Sequence, residues 1–114
     1  MNELEVQQKK LFDDLRHYDE NGNEYWLARE LQEALQYKEW RNFQKVISTA
    51  QIACKISQQD VSYHFVEVNK TIAMPKGASK KVPDYKLTRY ACYLIVMNGD
   101  PRKEVIAWGQ TYFA

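Results

Sequence analysis

The segment RYACYLIVMNGDP, Arg89 to Pro101, decides how the chain is organised. From Tyr90 to Met97 it carries no charge. A helix on a protein surface shows one apolar stripe with polar residues opposite, so a segment apolar on every side belongs in the interior. It is far shorter than the ~20 residues a bilayer crossing needs. Thr88 is a good N-cap, and a helix is predicted from Arg89 to Asn98. Gly99 fits the left-handed position that ends a helix. Asp100 reads as the cap of a further helix and Pro101 as its first residue, where a missing N–H costs nothing. The first helix is therefore expected to be the central buried element. The second is expected to pack Val105, Ile106, Trp108 and Phe113 on its neighbours.

The rest of the composition fits such a core. The 114 residues suit one domain, 1–114, with 45% hydrophobic and 13% aromatic residues. Tyr supplies 8 of the aromatics, so many rings can keep a polar end in water. The opening MNELEVQQKK lacks the basic-then-apolar order of a secretion signal, and no membrane partner is expected. Cys54 and Cys92 are too few for a disulfide framework; reduced thiols in the cytoplasm are the simplest reading.

Working back from the buried helix, Val82–Leu87 is predicted to pair with an extended YHFVEVNKTIAMP, with Pro83 placing it at a sheet edge. Leu27, Leu31, Ala34 and Leu35 recur with helical spacing. After a break at Lys38 and Glu39, a second helix is predicted from Trp40 to Ile56, burying Trp40, Phe43, Ile47, Ala50 and Cys54. Lys38, Arg41 and Lys45 run one residue ahead of that stripe, ~100° around the helix, and so meet solvent. Asn21-Gly22 signals a two-residue hairpin between Arg16–Asp19 and Glu24–Leu27. Leu4, Leu11, Phe12 and Leu15 suggest a short helix before it. The fold class is thus α+β: a small helical core with short antiparallel β-hairpins.

The net charge of +1 conceals an uneven distribution. Residues 1–24 hold seven acids and three bases, a local charge of −4, whereas residues 69–103 hold eight bases and two acids, a local charge of +6. Lys70, Lys76, Lys80 and Lys81 occur with no acid among them, around Gly77-Ala78-Ser79, and an exposed loop is expected there. Such lysines can serve solubility alone, or contact a polyanion.

Two blocks carry a family resemblance: EYWLARELQEALQYKEWRNFQKVISTAQIAC and LTRYACYLIVMNGDPRKEVIAWGQTYFA. They resemble the Bro-N domain of phage and viral antirepressors, and the N-terminal domain of the bacterial DNA-damage-inducible protein D family. The resemblance covers about Tyr18 to Ala114. Where that pattern has glycine before Tyr37, this chain has Gln36. Family members continue beyond GQTYFA, which implies that the chain is the N-terminal part of a longer protein. The resemblance implies a mixed α+β domain linked to DNA binding and to the bacterial response to DNA damage (the SOS response), with no known catalytic site. Two helices with a tight break, followed by a hairpin with a basic loop, are also the order of a helix-turn-helix with a wing.

On that arrangement the expected DNA contacts are Lys38, Arg41 and Lys45 on the helix and Lys76, Lys80 and Lys81 on the loop. Asn42 and Gln44, with Ser48 nearby, are the candidate base-edge readers. Low sequence specificity is expected of this domain alone. Trp40 sits on the apolar stripe and reads as core before it reads as a base-stacking ring. No cofactor or metal is expected: His17, His64, Cys54 and Cys92 lack ligand spacing, and a buried cysteine is inert. Asp84-x-Lys86 has the pattern of metal-dependent nucleases but needs a second carboxylate, for which only Glu67 is available. A non-enzyme is expected. The alternative class is a protein-interaction module acting on a recombination or repair protein.

Overall fold

The computed structural model describes residues 2–114. The order of elements is α1 (Glu3–Asp13), β1 (His17–Tyr18), β2 (Glu24–Leu27), α2 (Ala28–Ala34), α3 (Trp40–Ile56), α4 (Val61–His64), β3 (Phe65–Ala73), β4 (Ser79–Leu87), α5 (Arg89–Met97) and α6 (Glu104–Phe113). The fold is α+β: six helices around one antiparallel sheet of order β1-β2-β4-β3. β3 and β4 pair along their whole length, from Phe65 opposite Leu87 to Ala73 opposite Ser79. β2 meets β4 only at Trp26–Leu87 and Leu27–Lys86.

The uncharged helix is central, as its composition demands. α5 packs against α3, α6, β2 and β4. Ala91, Cys92, Ile95 and Val96 are buried, Tyr90, Tyr93 and Leu94 are half-buried, and only Met97 at its end is exposed. Thr88 caps it, its hydroxyl accepting the Ala91 N–H at 3.1 Å. Its neighbours complete the core with Phe43, Ile47, Trp26, Phe65, Leu87 and Ile106. Trp26 is fully buried and donates its indole N–H to the Phe12 carbonyl at 3.0 Å, satisfying its one polar atom. Phe12 and Trp26 both meet Phe113 edge to face, at 5.2 and 5.0 Å, so α1, β2 and α6 close on one another.

Four local expectations are corrected. Gly99 is not left-handed; it is small because Ile106 lies against it, 2.8 Å from where a Cβ would stand. Pro101 does not open α6. Asp100 accepts the Arg102 N–H and fixes a turn, and the helix starts at Glu104. Asn21-Gly22 is not a two-residue hairpin, since only Gly22 has positive φ. The Asp19 carboxylate accepts the N–H groups of Asn21 and Asn23 and holds a longer loop. Tyr63 and His64 belong to the short α4 rather than to the strand.

The edge placement expected from Pro83 is also corrected; the proline is tolerated for another reason. β4 is internal in strand order, but β2 covers only its last two residues. The Pro83 carbonyl points to the uncovered flank, where it accepts from Arg29 Nε at 2.7 Å. The missing N–H of the same residue faces that way too, so no ladder bond is lost.

Candidate nucleic-acid interface

The link between α2 and α3 is set by backbone conformation. Gln36 has φ 63°, the left-handed region, where glycine is expected from the family pattern. Its carbonyl accepts from Lys103 Nζ at 2.9 Å, and the same ammonium lies 4.5 Å from the centre of the Tyr37 ring. α2 has no side-chain cap of its own. Asp84, 3% exposed on β4, supplies one: its Oδ1 accepts from Arg29 N at 3.0 Å and from Tyr85 N at 2.8 Å. The Arg29 guanidinium then lies 4.1 Å over Trp40, which stacks on Tyr85. These contacts fix α2, the start of α3 and β4 as one unit. Trp40 is half-buried in this stack.

The expected contact residues divide accordingly. Arg41, Asn42, Lys45 and Ser48 are exposed on α3, and Lys38 is exposed on the turn before it. Gln44 is half-buried, and its amide lies 3.3 Å from the Tyr85 hydroxyl, so it is already engaged inside the protein. The lysine loop is corrected to a β-ribbon. Lys80 and Lys81 are strand residues opposite Ile72 and Thr71, so their side chains point to opposite faces. Lys76 sits at the turn with φ 63°.

An open cleft of about 820 Å³ joins the two parts. Lys38 of the turn, Lys70 of the ribbon and Lys103 before α6 line it, with Arg29 and Gln32. Lys103 and Arg29 are not among the expected contacts; they are distant in sequence and adjacent only in the fold. Most of the paired cations lie away from this surface, although among the described residues Lys9, Lys55 and Lys86 outside it also have no carboxylate partner. Lys10, Arg16, Arg89 and Arg102 each pair with a carboxylate. Among the described residues, none of Lys38, Arg41, Lys45, Lys70, Lys76, Lys80 or Lys81 stands within ion-pair distance of one.

The chemistry weighed against this reading is placed elsewhere. Asp84 caps α2, and Glu67 pairs opposite Tyr85 and so faces the other side of the ribbon. Burial pushes both the Cys54 and Cys92 thiols up, Cys92 far up. His17 pairs with Glu30 and His64 with the Thr88 hydroxyl. Among the described residues no three His, Cys, Asp or Glu side chains converge, and no helix is long and apolar enough to cross a membrane.

The chain is 44% identical over 103 residues to DNA damage-inducible protein D of Escherichia coli (strain K12), which covers 90% of this chain. It spans 38% of that protein's length. No solved structure matches. The BRO family, N-terminal domain, matches residues 14–114, which takes in the two helices, the ribbon and the central helix; the chain belongs to that family.

Proposed function

We propose that this domain is the DNA-binding, regulatory part of a bacterial DNA-damage-response protein, working in the cytoplasm without catalysis. α2 and α3 act as a helix-turn-helix and the β3–β4 ribbon as its wing. The observation that carries the reading is the clustering of unpaired cations on the helix, the turn and the ribbon, around one cleft. A charge with no protein partner is free to neutralise phosphate. Arg41 and Lys45 on α3, Lys38 and Lys70 at the cleft, and Lys76, Lys80 and Lys81 on the ribbon contact the backbone. Asn42 is the exposed amide on α3 and the better candidate than Gln44 for a base edge.

The test is a titration against duplex and single-stranded DNA across salt concentrations. About three to five phosphate contacts give a log–log slope near −3 to −4. Lys80→Glu with Lys81→Glu weakens all sequences alike, because phosphate contacts carry no sequence information. A second reading, a module acting on a recombination or repair protein, is favoured by Ile52 and Ile56, which are 60% and 76% exposed one turn apart on α3. It takes first place if low-salt binding is absent or indifferent to the lysine pair. Plasmid cleavage in magnesium or manganese would instead support the nuclease alternative.

A further inference from the structure

We infer that the β3–β4 ribbon is a wedge that kinks duplex DNA, inserting Met74 and Pro75 between base pairs from the minor groove; this rests on the DNA-binding reading above. Nine paired residues per strand give a ribbon of about 30 Å. Only its base is held in the sheet. β2 pairs no further along β4 than Lys86, and Arg29 reaches no further than Pro83. Beyond that, Thr71, Ala73, Ser79, Lys80 and Lys81 are exposed; on one face the half-buried Ile72 still lines the cleft with Lys70, and past Ile72 the ribbon projects into solvent.

Its chemistry changes along its length. Lys70, Lys80 and Lys81 stand on the strands, and no acid occurs between Asn69 and Val82. The last pair before the tip is small, Ala73 opposite Ser79, and Ala78 follows in the turn. The tip itself carries Met74, 40% exposed, and the exposed Pro75. A tight turn holds them there. Met74 N–H donates to the Ala78 carbonyl at 2.9 Å, and Lys76 and Gly77 take the left-handed backbone, φ 63° and 75°.

Lysines alone would suffice to keep a free strand edge from aggregating. Apolar residues at the point farthest from the core, on a slim cationic arm, serve a different contact. Pro has no N–H to strip of water, and Met is unbranched and polarizable. Side chains of this kind unstack base steps in proteins that bend DNA through the minor groove. Lysines on both faces of the arm are placed to neutralise the phosphates of the two strands that border the groove.

The experiment uses a duplex of about 30 base pairs labelled at both ends for energy transfer, and the same duplex with two unpaired bases at its centre. The wild-type protein is expected to raise transfer on the plain duplex. It is also expected to bind the interrupted one about tenfold more tightly, because the step is already unstacked. Met74→Ser with Pro75→Ser alters only an exposed turn. It should bind the plain duplex within about threefold of wild type while losing both the bend and the preference. Binding by the wild type without a bend, or an unchanged bend in the tip variant, overturns the wedge alone. Absence of wild-type binding overturns the wedge and the DNA-binding reading together.

Discussion

Replacing Asp84 with alanine tests whether this carboxylate serves architecture or chemistry. It is buried, and its Oδ1 accepts two backbone N–H groups, Arg29 at 3.0 Å and Tyr85 at 2.8 Å. A hydrogen bond to a charged group contributes about 1.5–3 kcal/mol, and loss of an N-cap costs about 0.5–2 kcal/mol. The two figures overlap, since the Arg29 bond is itself the cap. Asp84→Ala should therefore destabilise by about 2–4 kcal/mol. Asp84→Asn keeps an oxygen at the same place and loses only its charge, for about 1 kcal/mol. Urea unfolding followed by tryptophan fluorescence should show the alanine midpoint about 1–2 M lower and the asparagine midpoint between the two. An alanine midpoint equal to wild type, or an asparagine midpoint as low as alanine, would refute the capping argument. A rise of the wild-type midpoint with millimolar magnesium, absent in Asp84→Asn, would instead mark a metal ligand.

Gly109→Ala should destabilise by about 1–2 kcal/mol although alanine is the better helix former, because its Cβ would stand 2.8 Å from Val96 Cγ1 in the α5–α6 contact. Val96→Ala added to it should cost less than the sum of the two single changes in a denaturation double-mutant cycle. Gln36→Gly should stabilise by about 0.5–1 kcal/mol, since it relieves the left-handed backbone and leaves the carbonyl that Lys103 uses; a thermal melt with an unchanged or lower midpoint would count against it. Burial, and then a hydrogen bond to Asp13, push the Tyr112 phenol from 10 up to about 12. The neutral phenol is thus favoured in the folded state, and its contribution is full below pH 10 and lost as pH rises towards 12. Tyr112→Phe should remove that part of the alkaline instability, together with the highest-titrating tyrosinate in the absorbance spectrum.

What the sequence discloses here follows from how local each cause is. The central helix is legible because eight uncharged residues leave a helix no polar face. α3 is legible to its ends because Trp40, Phe43, Ile47, Ala50 and Cys54 repeat at helical spacing; the last four bury as that spacing dictates, while Trp40 at the start is only half-buried under Arg29. Punctuation is less legible. Gly99 and Gly22 are alike in sequence, but one is required by a neighbour's bulk and the other by backbone angle. Gly77 and Ser79 signal a loop, but cross-strand pairing draws Lys80 and Lys81 into the ladder. At the candidate interface the exposed cations of α3 and the ribbon follow from patterning. The cleft does not: Lys38, Lys70 and Lys103 meet only through tertiary packing. Nothing near Asp84 in the chain announces a helix 55 residues away that needs its carboxylate.

The closure of α1 on α6 has a consequence for how the protein is made. Phe12 and Trp26 lie against Phe113, near the other end of the chain. Ribosomes deliver about 5–20 residues per second, so these two large rings wait on the order of five to twenty seconds for their partner. During that interval the buried tryptophan, the central helix and the lysine ribbon exist without the element that seals them. A nascent chain stalled before Phe113 therefore exposes apolar surface that the folded domain hides, and becomes a substrate for chaperones and proteases. Loss of α6 would thus undo packing begun at residue 12.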